Sequence, residues 1–351
     1  MLAFAPPPVI GLDISSSSVK LVELSRTKGR YRVERFGIEP LPLNNGGAGM
    51  PDMDVVAAAV AALIKRSQTR AKAAATALPG AVAIIKVISL PAGMNELDID
   101  EQIRLEGGQY IPYSMDGVNF DFVVLGPDDT RPGYDQVLLI ACKREAVEDR
   151  VAILDKAGIQ AQVVDVEPFT LLAAYEHIAA QPGAVPLGQT VALIDVGATT
   201  TKVNVFQAGQ PIYNREHSFG GDRLTEEIMR RYRLSREDAG RMKRRGGLPE
   251  DYEQTVLAPF VDNLVVDLLR SLEFFQSSMP NAHVDQVMLF GGCAQIPGVS
   301  EALRERGQVP VTVANPFAGM DVAAGVDLKR LQQEAPSLAV ACGLALRRFD
   351  P

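Results

Sequence analysis

The stretch VIGLDISSSSVKLVEL at residues 9–24 decides the fold, because its pattern returns as TVALIDVGATTTKVNVF at residues 190–206. In each copy an apolar strand ends on an aspartate, which is Asp13 in the first and Asp195 in the second. Small residues follow, and then a second strand with alternating apolar positions. The copies lie half a chain apart, so the repeat predicts two lobes built on one plan.

Strand and helix patterns alternate along the rest of the chain, as in an α/β fold. A region at about 82–160 indicates a separate unit, with the strands AIIKVISL, VNFDFVVL and DQVLLIACK and two helices. The strand AQVVDVE after it runs into Pro168, and proline is favoured at the start of a helix. The remaining helices are predicted at about 53–70, 222–233, 235–245, 253–278, 297–306 and about 336–348.

The composition excludes several classes of protein. The chain has 351 residues and a net charge of −8, which suits a globular protein of two domains and disfavours a nucleic-acid binder. No apolar run approaches the length of about 18 residues that a membrane-spanning helix needs, and the N-terminus is not expected to be a signal peptide. The scattered cysteines and histidines give no zinc spacing, and the three cysteines are expected to be reduced in a cytoplasmic protein.

The two repeated turns predict a phosphate site. Their small residues let backbone N–H groups converge on an anion, and their hydroxyls add donors. A carboxylate beside each turn can hold a hydrated Mg²⁺ that bridges phosphates, and a lysine on the returning strand can add a cation. One turn alone would indicate a hairpin rich in serine or threonine, but two at matching register favour phosphate binding. The residues concerned are Asp13, Ser15, Ser16, Ser17, Lys20, Asp195, Gly197, Thr199 and Thr200.

Two further motifs have a functional and a structural interpretation. In LFGGCAQIPGV the pair Gly291 and Gly292 permits close approach to a flat ligand such as adenosine, or forms a tight turn between strand and helix. Glu167 lies where a strand meets a helix. It can orient a water molecule that attacks a γ-phosphate, or it can act as a first-turn acid that favours the helix dipole.

In their order along the chain, the first turn, the Glu167 segment, the second turn and the glycine pair resemble four motifs of the actin, Hsp70 and sugar-kinase ATPase superfamily. These are its phosphate-1, connect-1, phosphate-2 and adenosine motifs. The resemblance implies an actin-like bilobal fold with duplicated ribonuclease-H-like cores, which binds ATP and Mg²⁺ between its lobes. It makes Glu167 the catalytic glutamate, and Asp13 and Asp195 the acids that hold Mg²⁺ through water. It adds Gly220, Gly221 and Lys243 to the nucleotide contacts. Gly240 stands where many members carry a glutamate, so only Lys243 of that motif remains.

The strings ISSSSVKLVELSR, YRVERFGIEPLP, VVDVEPF, GGDRLTEEI and PSLAVACGLALR resemble the PilM family of type IV pilus assembly proteins over nearly the whole chain. The resemblance implies a cytoplasmic scaffold for pilus assembly and twitching motility, at the inner membrane through its partners. It implies capture of the N-terminal tail of a PilN-like membrane protein in a groove between the first-lobe core and the inserted subdomain. Other pilus assembly components and motor ATPases are further candidate partners, and nucleic acid is not.

The resemblance to the FtsA-like branch also implies how the chain is divided. The inserted subdomain, of the SHS2 type, is similar to the relocated subdomain of FtsA. The predicted units are the first-lobe core at 9–81, 159–189 and 335–351, the inserted subdomain at 82–158, the second-lobe core at 190–222 and 253–334, and a small helical subdomain at 223–252.

Two other functions remain open from the sequence. One is a filament-forming cytoskeletal ATPase like FtsA or MreB, and the other is an enzyme like the sugar kinases. In the scaffold interpretation, hydrolysis of ATP is slow at most. The cluster of basic residues at 230–245 is interpreted as a solvated helix face, with an anionic lipid or acidic partner as the alternative.

Overall fold

The computed structural model of the chain describes residues 8–42, 51–182 and 190–350. Residues 1–7, which begin the N-terminus that is not expected to be a signal peptide, lie outside the described residues, as do residues 43–50, 183–189 and 351 of the predicted first-lobe core. None of the helices in the described part has the length and apolar character that a bilayer crossing requires.

The strands of the described residues are β1 (Val9–Ile14), β2 (Ser18–Thr27), β3 (Arg30–Pro40), β4 (Ala73–Leu78), β5 (Ala83–Pro91), β6 (Val118–Pro127), β7 (Tyr134–Lys143), β8 (Gln160–Val166), β9 (Thr190–Val196), β10 (Thr201–Gln207), β11 (Gln210–His217), β12 (Gln286–Phe290), β13 (Val311–Val313) and β14 (Asp321–Val322). The helices are α1 (Met53–Ser67), α2 (Glu96–Glu106), α3 (Arg144–Lys156), α4 (Glu167–Ala179), α5 (Gly221–Tyr232), α6 (Arg236–Arg245), α7 (Ala258–Ser278), α8 (Val299–Gly307), α9 (Leu328–Glu334) and α10 (Ala339–Leu346).

The two lobes contain sheets of the same topology, as the repeat predicts. The first sheet has the order β14-β3-β2-β1-β4-β8, and the second has the order β11-β10-β9-β12-β13. The central strand is β1 in the first sheet and β9 in the second. In both sheets the first two strands on one side of it pair antiparallel, and the two strands on the other side pair parallel. The strand β14 is the addition that the second sheet lacks within the described residues.

The helices α4 and α10 lie between the two sheets and join the lobes. One cluster of buried side chains includes Leu171 of α4, Val340 of α10, Leu193 of β9 and Phe290 of β12. The close crossing of α4 and α10 requires Gly343, because a Cβ there would lie 1.9 Å from the carbonyl oxygen of Thr170. This contact fixes the bottom of the cleft that separates the lobes.

The inserted unit contains the antiparallel sheet β5-β7-β6, with α2 packed on one face. The helix α3, predicted to belong to this unit, packs mainly against α1 and β8 of the first lobe and makes smaller contacts with β6 and β7 of the inserted sheet. Its residues Ile153 and Leu154 share a buried cluster with Ile10 and Ile14 of β1. We therefore propose that the inserted subdomain ends at Lys143, and that α3 counts with the first-lobe core.

The basic cluster at 230–245 lies on α5, α6 and the turn between them, and many of its charges are paired. The ion pairs join Arg230 to Glu227, Arg231 to Asp251, Arg236 to Asp222 and Arg241 to Asp238. Neighbouring carboxylates thus neutralise much of the patch, which supports its interpretation as a solvated helix surface.

The sequence-based assignments differ from the structure at several places, and the strands β11 and β14 are among the elements that were not predicted. The strand β4 was not predicted, because AAATAL lacks the β-branched alternation of a typical strand. The last helix, predicted at about 336–348, begins as a 3-10 turn at Ala335–Leu338 and continues as α10, and the helix α9 before it was not predicted. Pro336 lies in that turn and has no backbone N–H to continue an α-helix.

Candidate functional site

A cleft of about 690 Å³ lies between the lobes, at the carboxyl ends of the central strands β1 and β9. The structure brings to it every predicted site residue except Gly220. The predicted residues that line it are Asp13, Ser15, Ser16, Ser17, Lys20, Glu167, Asp195, Gly197, Thr199, Thr200, Gly221, Lys243, Gly291 and Gly292. Gly220 lies directly behind the second turn, where a Cβ would be 2.4 Å from the carbonyl oxygen of Ala198.

The two repeated turns have the same backbone geometry. The N–H of Ser15 donates to the carbonyl of Ser18 over 3.0 Å, and the N–H of Gly197 donates to the carbonyl of Thr200 over 2.9 Å. The hydroxyls of Ser16 and Thr199 lie 2.9 Å apart, so the turns of the two lobes touch across the cleft. This contact places two sets of small, hydroxylated residues around one space, as a phosphate chain requires.

The charged side chains at the cleft floor do not follow the repeat. Lys20 donates to its strand neighbour Asp13 over 2.8 Å. Its counterpart Lys202 forms an ion pair with Glu167 rather than with its own strand neighbour Asp195. The difference arises because Glu167 begins α4, which reaches the cleft from the first lobe. In the described part of the chain, no cation lies within ion-pair distance of the Asp195 carboxylate.

Burial sets the proton affinities of these groups. It raises the pKa of the Glu167 carboxyl, against the opposing effect of the Lys202 charge. It also raises the pKa of Asp195, against Lys202 and Lys20. Burial acts to lower the pKa of Lys20, but the adjacent Asp13 carboxylate outweighs it and the pKa is above its ordinary value. The cleft floor is therefore a desolvated cluster of opposite charges.

The second lobe supplies the predicted adenosine end of the cleft. Gly291 has a φ of +89°, and a Cβ there would lie 2.4 Å from the carboxylate of Asp195. Lys243 donates to the carbonyl of Gly221 and to the hydroxyl of Thr225, at 3.0 and 2.8 Å. A Cβ at Gly240 would make only an ordinary van der Waals contact with Arg244, so the packing at this position does not require a glycine.

Several charged residues of the site were missed by the sequence-based prediction. Lys202 lines the cleft, and its position in the second copy of the repeat was a usable signal. Arg244 lines the cleft from α6, at the end of the basic cluster. Arg150 lies behind the first turn on α3, and nothing in its local sequence marks it.

The residues present fit a magnesium nucleotide. Within residues 8–42, 51–182 and 190–350, no group of three His, Cys, Asp or Glu side chains could hold a metal ion by itself. The carboxylates of Asp13 and Asp195 both face the cleft, so a magnesium ion there would take its other ligands from water and phosphate. At the adenosine end, the Cβ position of Gly292 is open space that a flat ligand can approach, whereas that of Gly291 is filled by the end of β9.

Comparisons with known proteins agree with this geometry. A family model described as type IV pilus assembly protein PilM matches residues 11–349. The chain is similar to a solved PilM-PilN type IV pilus biogenesis complex, at 28% identity, with 98% of this chain and 99% of that chain covered and a TM-score of 0.78.

Two more distant similarities concern other branches of the fold. The cell division protein FtsA of Bacillus subtilis (strain 168) is 26% identical over 201 residues. The match covers 51% of this chain and 44% of that protein, so this chain spans less than half the length of FtsA. MreB 5 of Spiroplasma citri bound to AMPPNP is 14% identical, with 99% of this chain and 97% of that chain covered and a TM-score of 0.52. The predicted actin-like bilobal fold is confirmed.

Proposed function

Because this chain belongs to the type IV pilus assembly protein PilM family, we propose that it is an ATP-binding scaffold of the pilus assembly machinery. It works at the inner membrane by holding the N-terminal tail of a PilN-like membrane protein. The observation that carries the proposal is the similarity, over nearly both full lengths, to a chain of the PilM-PilN complex.

The nucleotide part of the proposal rests on the paired turns. Ser15–Ser17 and Gly197–Thr200 would surround the phosphates with backbone N–H groups and hydroxyls, and Lys20 would add a positive charge. Asp13 and Asp195 would hold Mg²⁺ through water, and the ion would neutralise phosphate charge. Gly291 and Gly292 would contact the adenosine end, with Lys243 on the opposite wall.

Asp195→Ala tests this assignment. Mg-ATP should raise the melting temperature of the unchanged protein, since a ligand selective for the folded state stabilises it by RT ln(1 + [L]/Kd). The variant should remain folded and lose that rise. Asp285→Ala is a control outside the cleft lining and should keep the nucleotide response. A full response in Asp195→Ala would contradict the site.

Hydrolysis is proposed to be slow in the isolated protein. Glu167 is the acid placed to orient water, but its carboxylate is occupied by Lys202. Glu167→Gln should preserve ATP binding and remove whatever turnover is measured, because the amide is a poor base. Rapid turnover that survives this substitution would show that Glu167 has no such role.

The tail-binding part of the proposal concerns the inserted sheet. Its face opposite α2 carries Val87, Leu138 and Val123 side by side, since Leu138 pairs with both valines. Val87 and Val123 lie on the edge strands β5 and β6 and are 42% and 54% exposed. An extended tail can bind such a surface through backbone hydrogen bonds at a strand edge and apolar side chains.

Charge substitutions on the two faces of the inserted sheet test where the tail binds. Val123→Asp should weaken binding of a synthetic tail peptide by at least about tenfold. Leu105→Asp on α2, where the side chain is 82% exposed on the other side of the subdomain, should leave binding unchanged. Equal affinities in both variants would place the tail elsewhere.

A filament-forming ATPase is the second candidate, and the similarity to FtsA favours it. Sedimentation of the intact chain with and without ATP separates the two. A scaffold stays in the supernatant in both conditions, whereas a filament pellets with nucleotide. No observation in the cleft favours an enzyme like the sugar kinases.

A further inference from the structure

Arg150 is a buried cation behind the nucleotide cleft. Its side chain projects from α3 and is 3% exposed, and its guanidinium donates to the carbonyl of Ile14 over 3.3 Å. Ile14 joins Asp13 to the first repeated turn, so the contact is made at the start of that turn. In the described chain no carboxylate lies within ion-pair distance of Arg150.

A buried guanidinium without a carboxylate partner is costly, because it gives up its hydration. Burial lowers the pKa of Arg150, while the charges of Glu167 and Asp13 act in the opposite direction. Those two acids therefore stabilise Arg150 through space, although neither forms an ion pair with it. The electrostatic relation is mutual, so Arg150 also lowers the negative potential that these acids create.

The positive charge of Arg150 bears on ligand binding because the cleft is rich in acidic side chains. The cleft lining carries more acidic than basic side chains, with Asp13, Glu167, Asp195, Glu216, Asp222 and Glu334 against Lys20, Lys202, Lys243 and Arg244. This excess of negative charge repels a phosphate chain. Arg150 adds a positive charge from behind the turn, where it does not occupy space in the cleft.

We propose that Arg150 is a positioning residue of the nucleotide site, which fixes the start of the first turn and balances the charge of Asp13 and Glu167 so that an anionic ligand can bind. The inference rests on the proposed function, because it presupposes that the cleft binds a nucleotide. The rigid packing of α3 against β1, through Ile153 and Leu154, holds the guanidinium in place.

Calorimetric titration with Mg-ATP tests the proposal on the full chain. Arg150→Met should weaken binding by about tenfold, which corresponds to about 1.4 kcal/mol. Arg150→Lys should bind within about threefold of the unchanged protein, because it keeps the charge. Arg144→Met removes a positive charge from an exposed position of the same helix and should bind like the unchanged protein.

The double variant Arg150→Met with Glu167→Gln separates charge balance from structural damage. Loss of one acid should compensate for loss of the cation, so the affinity should return to within about threefold of that of Glu167→Gln alone. Damage to packing would not be repaired in this way. If Arg150→Met does not fold, Arg150→Gln replaces it in both titrations.

The outcomes are distinct. Failure of the unchanged protein to bind Mg-ATP would refute the proposed function itself. Normal binding by Arg150→Met, or a loss that neither Arg150→Lys nor the double variant recovers, would overturn the role of Arg150 while leaving the nucleotide site intact.

Discussion

Replacing Lys202 with methionine should destabilise the protein and make its stability depend on pH. The ammonium group forms an ion pair with Glu167, and the two side chains are 20% and 7% exposed. Removing one partner of a buried pair costs about 3–5 kcal/mol. Because one-fifth of Lys202 is exposed to solvent, we expect a loss of about 2–4 kcal/mol near neutral pH.

The sign of the pH dependence follows from the carboxylate that remains. Burial raises the pKa of Glu167 above its ordinary value of 4.5, and Lys202 opposes that rise. Without Lys202 the pKa should rise further. An acid whose pKa is raised in the folded state favours folding below its unfolded pKa and loses that effect as the pH rises through the folded pKa. The loss in Lys202→Met should therefore be full at about pH 8 and smaller at about pH 5.

Urea unfolding at both pH values measures these free energies. The double variant Lys202→Met with Glu167→Gln removes both charges and should recover most of the stability. Lys156→Met is the matched control, because its ion pair with Asp54 is exposed, and it should change nothing measurable. A change in Lys202→Met below about 0.5 kcal/mol, or one that is equal at both pH values, would refute the argument.

Three further predictions follow from single contacts. Gly343→Ala should cost about 3 kcal/mol in urea unfolding, because its Cβ would lie 1.9 Å from the backbone of α4, whereas Gly117→Ala has open space and should cost little. Alkylation of Cys293 at about pH 8 should be far slower in the folded than in the unfolded protein, because burial raises the pKa of its thiol to about 11; equal rates would show that the thiol is accessible. Hydrogen bonds from Ser89 and Thr130 lower the pKa of Asp128 to about 2, so Asp128→Asn should lower the melting temperature near neutral pH. The difference between the melting temperatures should vanish as the pH falls from about 4 to about 2. A difference that stays constant with pH would contradict the prediction.

The repeated strand-turn-strand pattern was enough to predict the duplicated sheets, because both copies keep their aspartate, small residues and lysine. The cleft could be predicted as well, since it lies where the two central strands end. The ion pairs could not. Lys20 and Lys202 occupy the same place in the two copies, yet Lys20 pairs with its strand neighbour Asp13 and Lys202 pairs with Glu167 at the start of α4.

Contacts between distant segments explain the other differences. Arg150 reaches the first turn from α3, far along the chain, and its own sequence is that of an ordinary amphipathic helix. The same helix follows β7 without a linker, so sequence alone assigned it to the inserted unit, although its apolar side packs on the first lobe. Local patterns predict elements, whereas these assignments depend on which surface an element covers.

The measurement that tests the central claim most directly is calorimetric titration of a synthetic N-terminal tail of a PilN-like protein into the intact chain. The scaffold proposal predicts saturable binding of one tail per chain, and no binding of a peptide with the same composition in scrambled order. Absence of saturable binding up to about millimolar peptide, or equal binding of the scrambled peptide, would contradict it.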